Sequence, residues 1–175
     1  MSEKRIAWVI TGGGHILEEC VEELLNCKRV DVFLSRAGEE VLRMYNLDAR
    51  ISVPKIRIYQ ETKPSSPVVV RLFGGTYSVL VVAPATSNSV AKFVYGISDT
   101  LATNLFAQSG KSRIPVIVYP TDLVPVATSV GPRGESFKVY PRPIDLENTA
   151  KLRSFAGVTV VSDRKELEHC LAAYA

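Results

Sequence analysis

A doubly wound parallel α/β sheet, a three-layer sandwich with helices on both faces of buried strands, is the fold class the sequence predicts. Three observations carry it. Strand-like and helix-like segments alternate along the 175 residues, which implies βαβ crossovers. Two segments, "VLVVA" (Val79–Ala83) and "VIVY" (Val116–Tyr119), are continuous apolar runs, as in strands buried on both faces. Three glycines, Gly12 to Gly14, stand between the first strand and the first helix, where such sheets bind ligands.

Each element follows from local pattern. The first strand is Ile6–Thr11, apolar and β-rich. Glu18–Asn26 is a helix, with Cys20, Val21, Leu24 and Leu25 at helical spacing. Val30–Leu34 is the second strand, and Ala37–Tyr45 reads as a helix because Val41, Leu42 and Tyr45 share one side. Ile56–Tyr59 is a short third strand, and "ETKPSSP" (Glu61–Pro67) is a turn or loop. Val68–Phe73 reads as a short helix before Gly74 and Gly75. The most apolar strand, Ser78–Ala83, is expected to stop at Pro84. Helices follow at Ser89–Tyr95 and Leu101–Ser109, broken near Gly96. Val116–Tyr119 is the next strand, and Thr121–Pro143, with scattered Gly and Pro, is expected to be a loop. Leu146–Phe155 is a helix, Val158–Val161 a last strand and Lys165–Ala173 a last helix.

The length favours one domain over 1–175, and 46% apolar with 22% charged residues is ordinary for this class. A net charge of +3 without a basic, aromatic-interleaved run gives no reason to expect nucleic acid. No stretch approaches the length of a membrane span, and "MSEKRIAWVI" lacks a signal peptide's apolar region. A cytoplasmic protein without a membrane partner is expected. Cys20, Cys27 and Cys170 form an odd set with no CxxC, which argues against disulfides, zinc or an iron–sulfur cluster. Cys20 and Cys27 share a helix face and are expected in the core.

Ligands of such sheets lie at the carboxyl ends of the strands, so function is sought in Thr11–His15, Ser35–Ala37, Ala83–Ser89 and Tyr119–Asp122. No Lys follows the glycines as a P-loop requires. A dinucleotide fingerprint begins with Gly12 and Gly14, but its third position is Leu17, and the second strand ends in "FLSRAGEE" without the ribose-binding acid. That disfavours NAD, while Arg36 keeps an NADP-dependent small reductase as an alternative through a 2′-phosphate contact. Ser35 is a natural helix cap. Thr86, Ser87, Asn88 and Ser89 give more polar groups than one cap needs. Asp99 could cap the helix at Leu101, and Asn104 reads as a surface polar residue.

Pro84-Ala85-Thr86-Ser87-Asn88-Ser89 and Gly96-Ile97-Ser98-Asp99-Thr100-Leu101 resemble the paired motifs of one family. It is the homo-oligomeric flavin-containing cysteine decarboxylase type of flavoprotein. Ile10-Thr11-Gly12 and Ser35…Ala37 also match, and the likeness covers most of the chain to about Asp122. "RIAWVITGGGH" and "RPIDLENTAKL" (Arg142–Leu152) look like the archaeal flavoproteins of that group, among them a dihydromethanopterin reductase.

The resemblance implies a flavodoxin-like, Rossmann-like domain with FMN at the carboxyl edge of its sheet. Thr11, Gly12, Gly13, Gly14, His15 and Ser35 would hold the phosphate end. Ala85, Thr86, Ser87 and Asn88 would run along the isoalloxazine, and Asp99, Thr100 and Leu101 would approach the ring or ribityl chain. Arg36 and Thr121 complete the cofactor-binding set. Also implied are a trimer or an assembly of trimers, and electron transfer or reduction of a small, pterin-type acceptor with electrons from a ferredoxin-type partner. The family's decarboxylases carry a His before the central strand, and "SSPVVVRLFGGTYS" has none. "YPTDLVPVATSVGPRG" lacks their Cys, Met and Asn and also the prenyltransferases' Arg-Glu pair, so both chemistries are disfavoured alternatives. His15 is the one catalytic candidate, either a first-turn polar residue or a flavin contact able to relay protons. His169 reads as a surface residue, and Glu18-Glu19 as a solvated face at the positive end of a helix dipole.

Overall fold

The computed structural model describes residues 4–62 and 67–174. The first half of the chain runs β1 (Arg5–Ile10), α1 (Leu17–Asn26), β2 (Val30–Leu34), α2 (Arg36–Met44), α3 (Asp48–Ile51), β3 (Arg57–Gln60) and a 3-10 helix (Pro67–Gly74). There follow β4 (Tyr77–Ala85), α4 (Ser87–Tyr95), α5 (Leu101–Lys111) and β5 (Val116–Pro120). Then come β6 (Ala127–Val130), β7 (Ser136–Val139), α6 (Pro143–Leu152), β8 (Val158–Val160) and α7 (Arg164–Ala172).

The main sheet has six strands in the order β3-β2-β1-β4-β5-β8, and every pairing in it is parallel. Of the two doubly wound topologies the sequence suggests, this order is the Rossmann one. Alternate side chains of each strand feed two cores. Ile6, Trp8 and Ile10 of β1 pack with Leu17, Val21 and Leu24 of α1 and with Leu167 and Leu171 of α7. Ala7 and Val9 face the other way, toward Val90 and Phe93 of α4, Leu101 and Leu105 of α5 and Leu152 of α6. The chain thus forms three layers, and the β1/β4 boundary, where the strand order reverses, marks the crevice for a ligand.

Several boundaries differ from expectation for identifiable reasons. β4 does not stop at Pro84 but continues to Ala85 through a cis Ala83–Pro84 bond. The expected loop Thr121–Pro143 contains the antiparallel hairpin β6–β7. Helix α6 begins at Pro143, earlier than expected. Proline at the first helical position is a start signal, and the Asp145 carboxylate accepts the Arg142 N–H at 3.0 Å. Helix α3 was not expected, and of "ETKPSSP" the residues 63–66 lie outside the described residues. Gly96 does end α4, in the left-handed conformation (φ 71°) that spares glycine a Cβ clash.

Among the described residues no helix is long and apolar enough to cross a membrane. Cys20 and Cys27 are buried, as expected, and all three cysteines are free.

Candidate functional site

The four post-strand loops converge at the carboxyl edge. Thr11 is the strut between the first and third. Its buried hydroxyl donates to the Pro84 carbonyl at 2.8 Å and accepts the Thr86 N–H at 2.9 Å. The Thr121 N–H bonds the Ala85 carbonyl at 2.9 Å, which ties in the fourth loop. A Cβ on Gly13 would lie 2.6 Å from the Thr121 methyl, and one on Gly12 2.6 Å from the Ala37 Cβ, so no larger residue fits without displacement. These glycines make room for protein atoms, a use that sequence alone did not separate from ligand contact.

The amides of this loop are its chief chemical feature. No backbone N–H from Gly12 to Ile16 donates a hydrogen bond among the described residues. The loop leads into α1, whose N-cap is Ile16 at φ 61°, with no side-chain cap. A β-branched residue in the left-handed region costs about 1–2 kcal/mol. Consecutive free amides at an uncapped helix start form an anion seat.

The starts of α2, α4 and α5 are closed by side chains. The Ser35 hydroxyl accepts the Gly38 N–H at 2.9 Å and donates to the Ile10 carbonyl at 3.3 Å. The Thr86 hydroxyl accepts the Ser89 N–H at 3.3 Å. Thr100 and Thr103 cap one another reciprocally at the start of α5. Thr11, Ser35, Thr86 and Thr100 are thus occupied as struts and caps. Ser87 and Asn88, by contrast, make no side-chain hydrogen bond among the described residues; Ser87 is half-buried and Asn88 exposed. His15 is half-buried beside the free amides, with no hydrogen bond among the described residues.

Other expectations are corrected. Asp99 does not cap α5; Thr100 does. Asp99 turns outward, and both its oxygens take bonds from Lys92 Nζ at 2.8 Å, which lowers its pKa. Asn104 is not simply a surface residue, because its side chain donates to the Thr100 carbonyl at 3.0 Å. Glu18 is exposed, but Glu19 is no solvated face. It accepts the Tyr119 hydroxyl at 2.6 Å, and burial together with this carboxylate raises the phenol's pKa. His169 is exposed, as expected.

Two residues escaped the sequence reading. Glu61, just past β3, accepts the Leu101 N–H at 2.5 Å and the Arg36 N–H at 3.2 Å, and so joins the starts of α5 and α2. Its place after a strand at the carboxyl edge was the available signal. Tyr45, read only as an apolar helix position, covers Gly14 and donates to the Val130 carbonyl at 3.0 Å.

A cavity of about 590 Å³ opens at the opposite, amino edge, lined among others by Lys4, Glu23, Cys27, Lys28 and Tyr174. It touches none of the four loops. The free donors lie at the carboxyl edge, which makes that edge the candidate ligand site.

This fold and site define a flavin-binding class of protein. The chain belongs to the Flavoprotein family, whose model matches residues 1–174. It is similar to Burkholderia xenovorans DmrB, crystallised in complex with FMN and described as a cubic protein cage for redox transfer. That likeness has a TM-score of 0.89 at 38% identity and covers 98% of this chain and 95% of that one. An uncharacterized protein of Methanocaldococcus jannaschii is 34% identical over 94% of this chain and 92% of its own length. A dihydromethanopterin reductase (acceptor) of Methanosarcina mazei is 42% identical over 70% of this chain. The match spans 57% of the reductase, little more than half its length.

Proposed function

We propose that the chain is a single FMN-binding domain that works as a redox protein. Its phosphate seat is the loop Gly12–Ile16. The free amides of that loop are the observation that carries this reading. His15 flanks the seat, and Ser87 and Asn88 offer polar groups to the flavin ring. Thr11, Ser35, Ala85, Thr86, Thr100, Leu101 and Thr121 hold these loops in place. Bound FMN supplies the redox chemistry, and the protein binds it, orients it and tunes its potential through hydrogen bonds.

The reductase relatives support reduction of a small, pterin-type acceptor; a ferredoxin-type donor of the electrons is the remaining part of this reading. Exposed apolar side chains on and beside the β6–β7 hairpin, Val126, Phe137 and Tyr140, suit a face covered by a second copy. The cage formed by the DmrB relative supports the same homo-oligomeric reading. Three free thiols fit the cytoplasm. The NADP alternative loses ground, because the Glu61 carboxylate sits on the Arg36 N–H and would repel a 2′-phosphate there.

Purified protein is expected to be yellow or to take up FMN on reconstitution, with FMN identified by the mass of the released cofactor. Colourless protein that quenches no flavin fluorescence would refute the reading. Turnover of a small acceptor by reduced protein would then distinguish a reductase from a carrier that serves only a partner.

A further inference from the structure

We propose that Tyr45 closes the phosphate end of the site and restricts it to a mononucleotide flavin. The proposal rests on the FMN reading above. Tyr45 follows α2 as its C-cap and reaches over the glycine loop. A Cβ on Gly14 would lie 2.8 Å from Cε2 and Cζ of the ring and closer still to the hydroxyl. Residue 14 is therefore a glycine for the sake of Tyr45 as much as for any ligand. The ring is fixed at both ends. Its body packs on the core shared with α1, and its hydroxyl is pinned to Val130 of β6 at 3.0 Å. The tyrosine thus draws the hairpin against the loop that carries the free amides.

The neighbouring way out, between the glycine loop and α2, is also filled. Gly12 touches Ala37 there, and Gly38 abuts the Ile10 carbonyl. Beyond them the Glu61 carboxylate bonds the Arg36 N–H at 3.2 Å and adds a negative charge beside that way out. A phosphomonoester ends at the amides and needs no exit. A dinucleotide continues through a second phosphate to an adenosine, for which these two sides of the loop leave no room. Selection between the two then depends on what lies beyond the first phosphate, since the flavin ring is the same in both.

The test is a titration of the full-length apoprotein with FMN and with FAD, read by flavin fluorescence. Tyr45→Leu and Tyr45→Met keep an apolar stem on the core but remove the ring tip over Gly14. Tyr45→Phe keeps the ring and loses only the bond to Val130. The wild type is expected to prefer FMN by at least about 100-fold. Either truncation that folds, as judged by circular dichroism, should narrow that preference by about tenfold, while Tyr45→Phe should hold it within about threefold. Wild-type FAD affinity within about tenfold of that for FMN would overturn the proposal, as would an unchanged preference in the truncated variants. Wild-type protein that binds neither flavin would refute the FMN reading and the proposal together. Binding of both flavins alike would refute the proposal alone.

Discussion

Helices α1 and α5 both begin at the carboxyl edge, and their first turns are built in opposite ways. The start of α5 is closed twice. Thr100 and Thr103 satisfy each other's backbone, and Glu61 arrives from 40 residues away to take the Leu101 N–H. The start of α1 has Ile16 in the left-handed region, no side-chain cap, and free amides back to Gly12. Such donors are left to water or to a ligand, and a buried one, as at Gly13, costs about 1–3 kcal/mol when nothing binds it. Side chains cap α2, α4 and α5 while α1 is bare, which is the contrast that the proposed anion seat rests on. A capped helix start is a structural feature, whereas an uncapped one beside a glycine loop points to binding.

The largest expected effect comes from forcing the glycine loop out of place. Gly13→Val places its side chain against the Thr121 methyl, 2.6 Å from where a Cβ would sit. FMN affinity should fall at least about 100-fold, with a stability loss of about 1–3 kcal/mol from overpacking. Paired flavin titration and thermal melts would measure both. Next, Asn88→Ala removes an exposed amide without partners among the described residues. Apoprotein stability should stay within about 0.5 kcal/mol of wild type, while FMN binding weakens about tenfold. A change in stability without one in binding would reverse the assignment of Asn88.

The closed side gives the opposite pattern. Glu61→Ala strips the second cap from α5 and should cost the apoprotein about 1 kcal/mol by urea unfolding. Glu61→Gln, which keeps an acceptor oxygen, should recover part of that loss.

The smallest effect concerns the far end of α1, which is closed in contrast to its start. Cys27 is the C-cap there, and its thiol donates to the Glu23 carbonyl at 3.4 Å. Burial, reinforced by the charge of Glu23, pushes that thiol up from 9.0 to about 11. The unfolded chain releases this proton first, so the contribution is complete below about pH 9 and declines as pH rises toward 11. Urea unfolding at pH 8 and pH 10 should show a loss of stability that is about 1 kcal/mol smaller in Cys27→Ala than in the wild type, the buried Cys20 thiol contributing to both.

The sheet was legible because burial on both faces writes itself as unbroken apolar runs, as in Val79–Ala83. The glycine loop was legible as a place but not as a mechanism. Glycines that admit Ala37, Thr121 and Tyr45 look, in one dimension, like glycines that admit a phosphate. Ser35 and Thr86 carry the same ambiguity, because capping and ligand binding use the same hydroxyl chemistry. Glu61 was hidden because its two contacts lie 25 and 40 residues away. The β6–β7 hairpin was hidden because its strands are short and polar, with Thr128, Ser129, Ser136 and Lys138 among their residues.

The central claim is that the free amides of Gly12 to Ile16 hold a phosphate. Titration of the apoprotein with FMN and with riboflavin, which lacks only that phosphate, tests it most directly. Two charge-assisted hydrogen bonds already make a difference of at least about 100-fold in favour of FMN, and that is the result expected. Equal affinity for the two flavins would contradict the account.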